Sequence, residues 1–181
     1  MFDQQQFIAD CRAALDAERA SRNVREVVAR AVSDPAGVMR ALGEPQQGGV
    51  QTLYRSADLT IINVLWQPKM VVQPHNHEMW AVIGVYSGRE DNILWRRLPD
   101  EAAGKVEAAG AKSLCETDTI VLGPDVIHSV VNPIPRVTGA IHVYGGDFFA
   151  VQRSEWDPES LREKPYDMEK VLRMFAVSHA N

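Results

Sequence analysis

The sequence predicts a mainly β fold, an antiparallel sandwich or barrel with helices ahead of it. Three observations predict this. From about residue 50, short runs rich in Val, Ile, Trp and Tyr follow one another, punctuated by Gly, Pro, Asn and Asp. No helical pattern intervenes between those runs, which argues against a parallel α/β sheet. Residues 1–43 differ in texture, with apolar residues every three or four positions.

Phe7, Ile8, Cys11, Ala14 and Leu15 make one helical face, and Val24, Val27, Val28 and Ala31 a second. Ser33-Asp34-Pro35 breaks and restarts the helix, with Asp34 placed to cap and Pro35 to fill the first turn. Gly43 ends it, and GEPQQGG (43–49) reads as a linker. The predicted strand runs are 59–66, 80–88, 92–98, 118–123, 128–133 and 138–146. Met168, Val171, Leu172 and Phe175 then fall on a helical stripe, with a short strand as the alternative. The expected layout is one domain over 1–181: a helical segment (1–45), a β-barrel (50–158) and a C-terminal extension (159–181) packed on the barrel.

A chain of 181 residues can bury a core without staples. Its formal charge is −5, from 19 Lys and Arg against 24 Asp and Glu, with no basic stripe, so no nucleic-acid partner is expected. Cys11 and Cys115 lie far apart and form no CxxC pair, which fits a reducing compartment. The first residues, MFDQQQFIADCRAALDAE, lack the apolar run of a signal peptide. No stretch approaches the ~18 apolar residues that span a membrane. The expectation is a cytoplasmic protein with no membrane partner, a monomer or small homo-oligomer.

Five histidines carry the chemistry: His75, His77, His128, His142 and His179. His179, close to the last residue, reads as a surface residue. In a strand, positions i and i+2 share a face, so His75 and His77 point together while Glu78 points away. Alone, this pair reads more simply as two partly exposed histidines. In GPDVIHSVVNP, a turn at Gly123-Pro124-Asp125 leads into His128, with Asn132 four residues on. Alone, His128 could be a capping residue. Together the three supply three imidazoles, a facial set that leaves part of an octahedral ion's coordination open. His142 and Tyr144 also share a face. They are either barrel-interior residues or neighbours of that set.

These stretches resemble the two motifs of the cupin superfamily. The first motif pairs His-x-His with a later Glu and Gly. Gly88 fits the Gly, but the Glu position falls on Ala81, which cannot bind a metal. Pro124, His128 and Asn132 match the second motif, with the Pro-to-His gap one residue short. A cupin without that Glu is similar to the thiol dioxygenases of the cysteine-dioxygenase-like family, closest to the bacterial 3-mercaptopropionate dioxygenase branch. The resemblance runs from about Trp66 to Trp156, half the chain, on HNHEMWAVIGVYSG, IHSVVNP and HVYGGDFF.

The resemblance implies a cupin double-stranded β-helix with N-terminal helices and an Fe(II) ion on His75, His77 and His128. It implies a dioxygenase that converts a small carboxylated thiol and O2 to the sulfinic acid. In that family a Ser-x-His-x-Tyr relay stands beside the iron. Here His142 and Tyr144 match, but the Ser is Ala140, so His142 must find another partner to fix its tautomer. Arg153 stands where the 3-mercaptopropionate branch carries its carboxylate-binding Arg. Arg55 lies near the corresponding Arg of the cysteine dioxygenases. The Cys of the family's Cys–Tyr crosslink belongs at Ala81, so no crosslink is expected. Trp66, Trp80, Trp95 and Trp156 read as barrel core. Two other readings stand beside this one: a three-His cupin dioxygenase acting on a non-thiol chelating substrate, and a non-enzymatic cupin that binds a metal or small ligand.

Overall fold

The computed structural model describes residues 2–16, 19–99 and 104–176, so His179 lies outside the described residues. Three helices lead: α1 (Gln4–Ala13), α2 (Ala20–Val32) and α3 (Pro35–Leu42). Asp34 caps α3, accepting from the Gly37 amide at 2.9 Å, and Gly43 ends it at φ 92°. Strands follow as β1 (Gly49–Arg55), β2 (Thr60–Trp66), β3 (Val71–His75), β4 (Ala81–Ser87), β5 (Arg89–Arg97) and β6 (Val106–Cys115). Then come β7 (Thr119–Leu122), β8 (Ile127–Val131), β9 (Thr138–Tyr144), β10 (Ser154–Trp156) and β11 (Glu163–Pro165). The tail is helical, not a strand: α4 spans Met168–Ala176.

The strand pairing defines the fold. β2 pairs with β9, β3 with β8, β4 with β7 and β5 with β6, all antiparallel. A long hairpin of eight strands, β2 to β5 on one arm and β6 to β9 on the other, is thus coiled so that its strand pairs alternate between two sheets. One sheet runs β1-β2-β9-β4-β7 and the other β11-β10-β3-β8-β5-β6. This is a jelly roll, or double-stranded β-helix.

The first sheet is buried on both faces. Ile62, Val64 and Trp66, Ala81, Ile83 and Val85, and Ala140 and Tyr144 face the space between the sheets. Their neighbours Ile61, Val82, Tyr86, Ile141 and Val143 face outward, against Val24, Val28 and Val32 of α2 and Phe7, Ile8 and Cys11 of α1. Two covered faces explain why these strands read as unbroken apolar runs. The second sheet is less covered on its outer face, where Val106, Ile127 and Trp156 form a small separate cluster. Its edge strand β6 is largely exposed and carries Ala, Gly and Lys, which gave no strand signal in the sequence.

Two glycines are required by geometry. Gly88 turns between β4 and β5 at φ 87°, where a Cβ would lie 2.4 Å from the Thr138 hydroxyl. At Gly84 helix α2 lies directly on β4, and a Cβ would meet Val28 Cγ1 at 2.4 Å and Val32 Cγ1 at 2.9 Å. Gly84→Val should therefore push α2 off the sheet. We expect a loss of about 1–3 kcal/mol in urea unfolding. A midpoint unchanged from the parent chain would contradict this packing.

Candidate metal centre

His75 and His128 are brought together by strand register, since they are direct partners between β3 and β8. The register of β3 shifts by one residue between Val72 and His75. Val72 faces the interior, so an unbroken strand would next turn Pro74 and Asn76 inward. The extra residue, in a stretch where Pro74 has no amide to donate, re-aims His75 inward instead. His77 lies two residues past the end of β3, in a connecting loop rather than a strand, yet shares that inward face. Glu78 is exposed at φ 54°, and its carboxylate accepts from the Asn76 amide, turned away from the cluster.

All three imidazoles are buried, and one nitrogen from each lies within 4.8 Å of the others. Hydrogen bonds identify which nitrogen. His75 donates Nδ1–H to the Gln73 carbonyl at 2.9 Å, and His128 donates Nδ1–H to Asn92 Oδ1 at 2.7 Å. Both Nε2 atoms are therefore lone-pair acceptors. His77 Nε2 lies 2.9 Å from His128 Nε2. Two nitrogens at that distance need a proton or a cation between them: either the Nε2–H tautomer of His77 donates to His128, or both lone pairs serve one ion. Metal–nitrogen bonds of about 2.1 Å at right angles would separate two nitrogens by about 3.0 Å, so the donor set fits a metal ion. Burial, with repulsion from the positive form of His75, holds His77 and His128 well below the usual histidine range. Burial lowers His75 to about 4, against the opposing bond to Gln73.

Sequence reasoning missed the carboxylate that completes this region. Glu90 is fully buried on β5, between the sheets. Its Oε2 accepts from Trp66 Nε1 at 2.7 Å and from His142 Nε2 at 3.2 Å, and its Oε1 accepts from Asn92 Nδ2 at 3.0 Å. Burial alone would raise its pKa. The His142 ring and the bonds from His142, Asn92 and Trp66 outweigh burial and hold it below the ordinary carboxylate range. Glu90 is thus the partner that Ala140 denies to His142. The other ring nitrogen, His142 Nδ1, lies 3.0 Å from the Tyr144 hydroxyl. The Tyr144 ring packs on His77 at 5.0 Å and on Phe148 at 4.3 Å. The only sequence signal was the alternation Glu90-x-Asn92-x-Leu94, polar residues on an inward face.

Arg153 is brought to the region and Arg55 is not. The Arg153 guanidinium lies between the rings of Phe148 and Tyr166, 4.2 and 4.3 Å from their centroids. Those rings flank His77 at 5.9 Å and His75 at 5.6 Å. One Arg153 nitrogen donates to the Phe148 carbonyl at 2.6 Å, while Nε and Nη2 are buried with no partner among the described residues. Arg55, expected near a substrate carboxylate, instead makes a bidentate pair with Asp147 at 2.9 Å on the surface and lies over Phe149. Its carboxylate is supplied from within the chain, by the loop after β9.

Ala81 faces the interior directly opposite Tyr144. Cys11 is buried in the helical layer and Cys115 is exposed at the end of β6, so neither thiol lies beside that tyrosine. Trp66 is more than core, since its indole N–H holds Glu90. The imidazoles open on a cavity of about 40 Å³, room for a few waters. Its remaining wall is mostly apolar and includes Val171, Leu172 and Phe175 of α4. Tyr166 and Met168 line both this cavity and an outer groove that reaches Arg153.

No protein-family model matches the chain. Solved structures similar to it include a protein with a double-stranded β-helix domain from Klebsiella pneumoniae (12% identity over 67% of this chain and 85% of that one, TM-score 0.42). An RmlC-like cupin from Methanocaldococcus jannaschii is 10% identical over 57% of this chain and 84% of its own, with a TM-score of 0.46. A variant of oxalate decarboxylase from Bacillus subtilis is 14% identical over 58% of this chain and 27% of its own, with a TM-score of 0.44. The assignment to the double-stranded β-helix rests on the strand pairing described above.

The buried neutral histidines set a pH dependence. Unfolded histidines protonate near pH 6.5, before the folded ones do, so the unfolded state takes up more protons as pH falls. Metal-free protein should keep its full stability above about pH 6.5. It should lose stability down to about pH 4, where folded His75 protonates. The loss should reach about 1.4 kcal/mol per pH unit for each histidine. Unfolding midpoints across pH 4–8 test this, and His128→Gln should flatten the slope.

Proposed function

We propose that the chain is a non-haem Fe(II)-dependent dioxygenase that converts a small carboxylated thiol and O2 to the sulfinic acid. The observation that carries this reading is the placement of Arg153: a buried guanidinium whose Nε and Nη2 have no partner among the described residues, near a set of three buried imidazoles. Such a fork suits a carboxylate, and the imidazoles suit an ion that a thiol can join. His75, His77 and His128 would hold the metal. Fe(II) in that place supplies the redox chemistry through which O2, otherwise unreactive toward a thiol, adds both its atoms to sulfur.

The residues of the chain have separate tasks in this reading. Arg153 pins the carboxylate, so that the substrate's sulfur meets the centre from one direction. Three ligands without charge leave the full positive charge of the ion to favour the thiolate over the thiol. Glu90 takes the His142 Nε2–H, so Nδ1 accepts the Tyr144 hydroxyl proton and the Tyr144 oxygen keeps lone pairs for the substrate side. The apolar wall keeps bulk water from the reacting sulfur. A cavity of about 40 Å³ is too small for a thiol acid, so entry requires α4 or the Tyr166 side chain to move.

A second reading keeps the centre and exchanges the substrate for a non-thiol chelator. The observation favouring it is Ala140, which removes the hydroxyl that the thiol dioxygenases carry beside this histidine. O2 uptake by Fe(II)-loaded protein separates the two. The panel is 3-mercaptopropionate, cysteine, mercaptosuccinate and cysteamine against a β-diketone. Thiol-dependent uptake with a sulfinate product is expected. Uptake with the diketone alone would move the assignment to the second reading. Bound Zn²⁺ with no turnover of any compound would make it a binding protein. His128→Ala should abolish both Fe(II) retention and uptake. Arg153→Met should raise KM for the carboxylated thiols by about 10- to 100-fold while leaving cysteamine nearly unchanged.

A further inference from the structure

We propose that Glu90, which touches none of the three metal-facing imidazoles, is the positioning residue that sets the tautomer of His128 through Asn92. The inference rests on His128 being a metal ligand, and on the direction in which each hydrogen bond runs.

Trp66 anchors the chain of bonds. An indole nitrogen can only donate, so the group at position 90 must present an acceptor to Trp66 Nε1. The same Oε2 accepts from His142 Nε2. The other oxygen, Oε1, accepts from Asn92 Nδ2, and this bond orients the Asn92 amide. With its NH2 turned to Glu90, Asn92 presents Oδ1 to His128 Nδ1 at 2.7 Å. An oxygen there requires a proton on Nδ1, and the neutral imidazole then carries its lone pair on Nε2, facing His77 Nε2. Every direction is forced by the one before it. A carboxylate is the only side chain at position 90 that presents acceptors to Trp66 and to Asn92 at once.

Glu90→Gln changes one oxygen to NH2 and makes a directional prediction. Trp66 and His142 keep the remaining oxygen on their side, so the new NH2 faces Asn92. Asn92 must then flip to accept from it, which turns its own NH2 toward His128 Nδ1. His128 is driven to the Nε2–H tautomer, with its proton where the metal belongs, while His142 keeps its proton on Nε2. Asn92→Asp added to Glu90→Gln restores the original direction. The amide introduced at position 90 would donate to one oxygen of the carboxylate introduced at position 92. The other oxygen of that carboxylate would again accept from His128. Composition and charge of the pair are conserved in this swap.

Two measurements on the full chain test the proposal without reference to turnover. Long-range ¹H–¹⁵N correlation on metal-free protein reads the tautomer of each histidine. Anaerobic competition with a chromophoric chelator reads Fe(II) affinity. The parent protein should show His128 as Nδ1–H. Glu90→Gln should shift His128 to Nε2–H with His142 unmoved, and should weaken Fe(II) binding by about 10- to 100-fold. Each single variant should be impaired, and the double variant should return to within severalfold of the parent, a coupling that separate packing defects do not produce. Unchanged tautomer and affinity in Glu90→Gln would overturn the proposal, as would a double variant no better than the single ones. If Glu90→Gln does not fold, the double variant decides: folding and binding as the parent supports the proposal, and failure to fold overturns it. An absence of thiol oxidation would count against the proposed function and leave this result standing.

Discussion

Buried imidazoles turn their lone pairs toward one point when acceptors hold their protons on the far side, and here two of the three rings have such acceptors. That constraint organises the region between the sheets. Gln73 holds the His75 proton with a backbone carbonyl, and Asn92 holds that of His128 with a side-chain amide. His77 Nδ1 is buried without a partner among the described residues, so the two partnered rings carry the definition of the site. A buried polar group left without a partner costs about 1–3 kcal/mol. On the His128 side the acceptors are placed in turn by other contacts, from Trp66 to Glu90 to Asn92.

Much of the fold was legible because the first sheet is covered on both faces. Its central strands β2, β4 and β9 carry apolar residues on both faces and stood out as runs. The edge strand β6 did not, since one neighbour and a solvated face ask nothing apolar of it. Strand β3 was hidden by Pro74, the residue that accompanies its register shift. The His-x-His pair was read as one strand face. The inward aim was right, but its cause is a shift of one residue, with His77 already beyond the strand. Spacing in sequence cannot reveal such a shift, because it depends on the partner strand β8.

The candidate site was legible where side chains alternate along one strand, as in His142 and Tyr144. It was not legible where the contact crosses between sheets. Glu90 lies 52 residues before His142 in the sequence, and nothing local to either position announces the pair. The missing serine at Ala140 was the useful clue, because it left His142 without a partner and so required one elsewhere. Arg55 shows the opposite case. An arginine at a plausible place was claimed by Asp147, a residue 92 positions away.

The second sheet carries two buried carboxylates, and each lies one residue removed from an imidazole that faces the centre. Glu90 acts through Asn92. Glu155 accepts from the Gln73 side chain at 2.8 Å, and the Gln73 carbonyl holds His75. Glu155 also accepts from the Asp167 amide at 3.2 Å and pairs with Lys170 of α4 at 3.6 Å. Glu155 therefore ties the Gln73 side chain on β3 to the start of the helix that walls the cavity. Negative charge one residue out, rather than on the imidazoles themselves, would matter once an ion is bound. Through Asn92, Glu90 would make His128 a better donor while the three imidazoles stay neutral. With a divalent ion on those rings and Arg153 beyond Phe148 and Tyr166, the region would carry net positive charge, as the proposed anionic, chelating substrate requires. An acidic residue at Ala81 would cancel part of that charge.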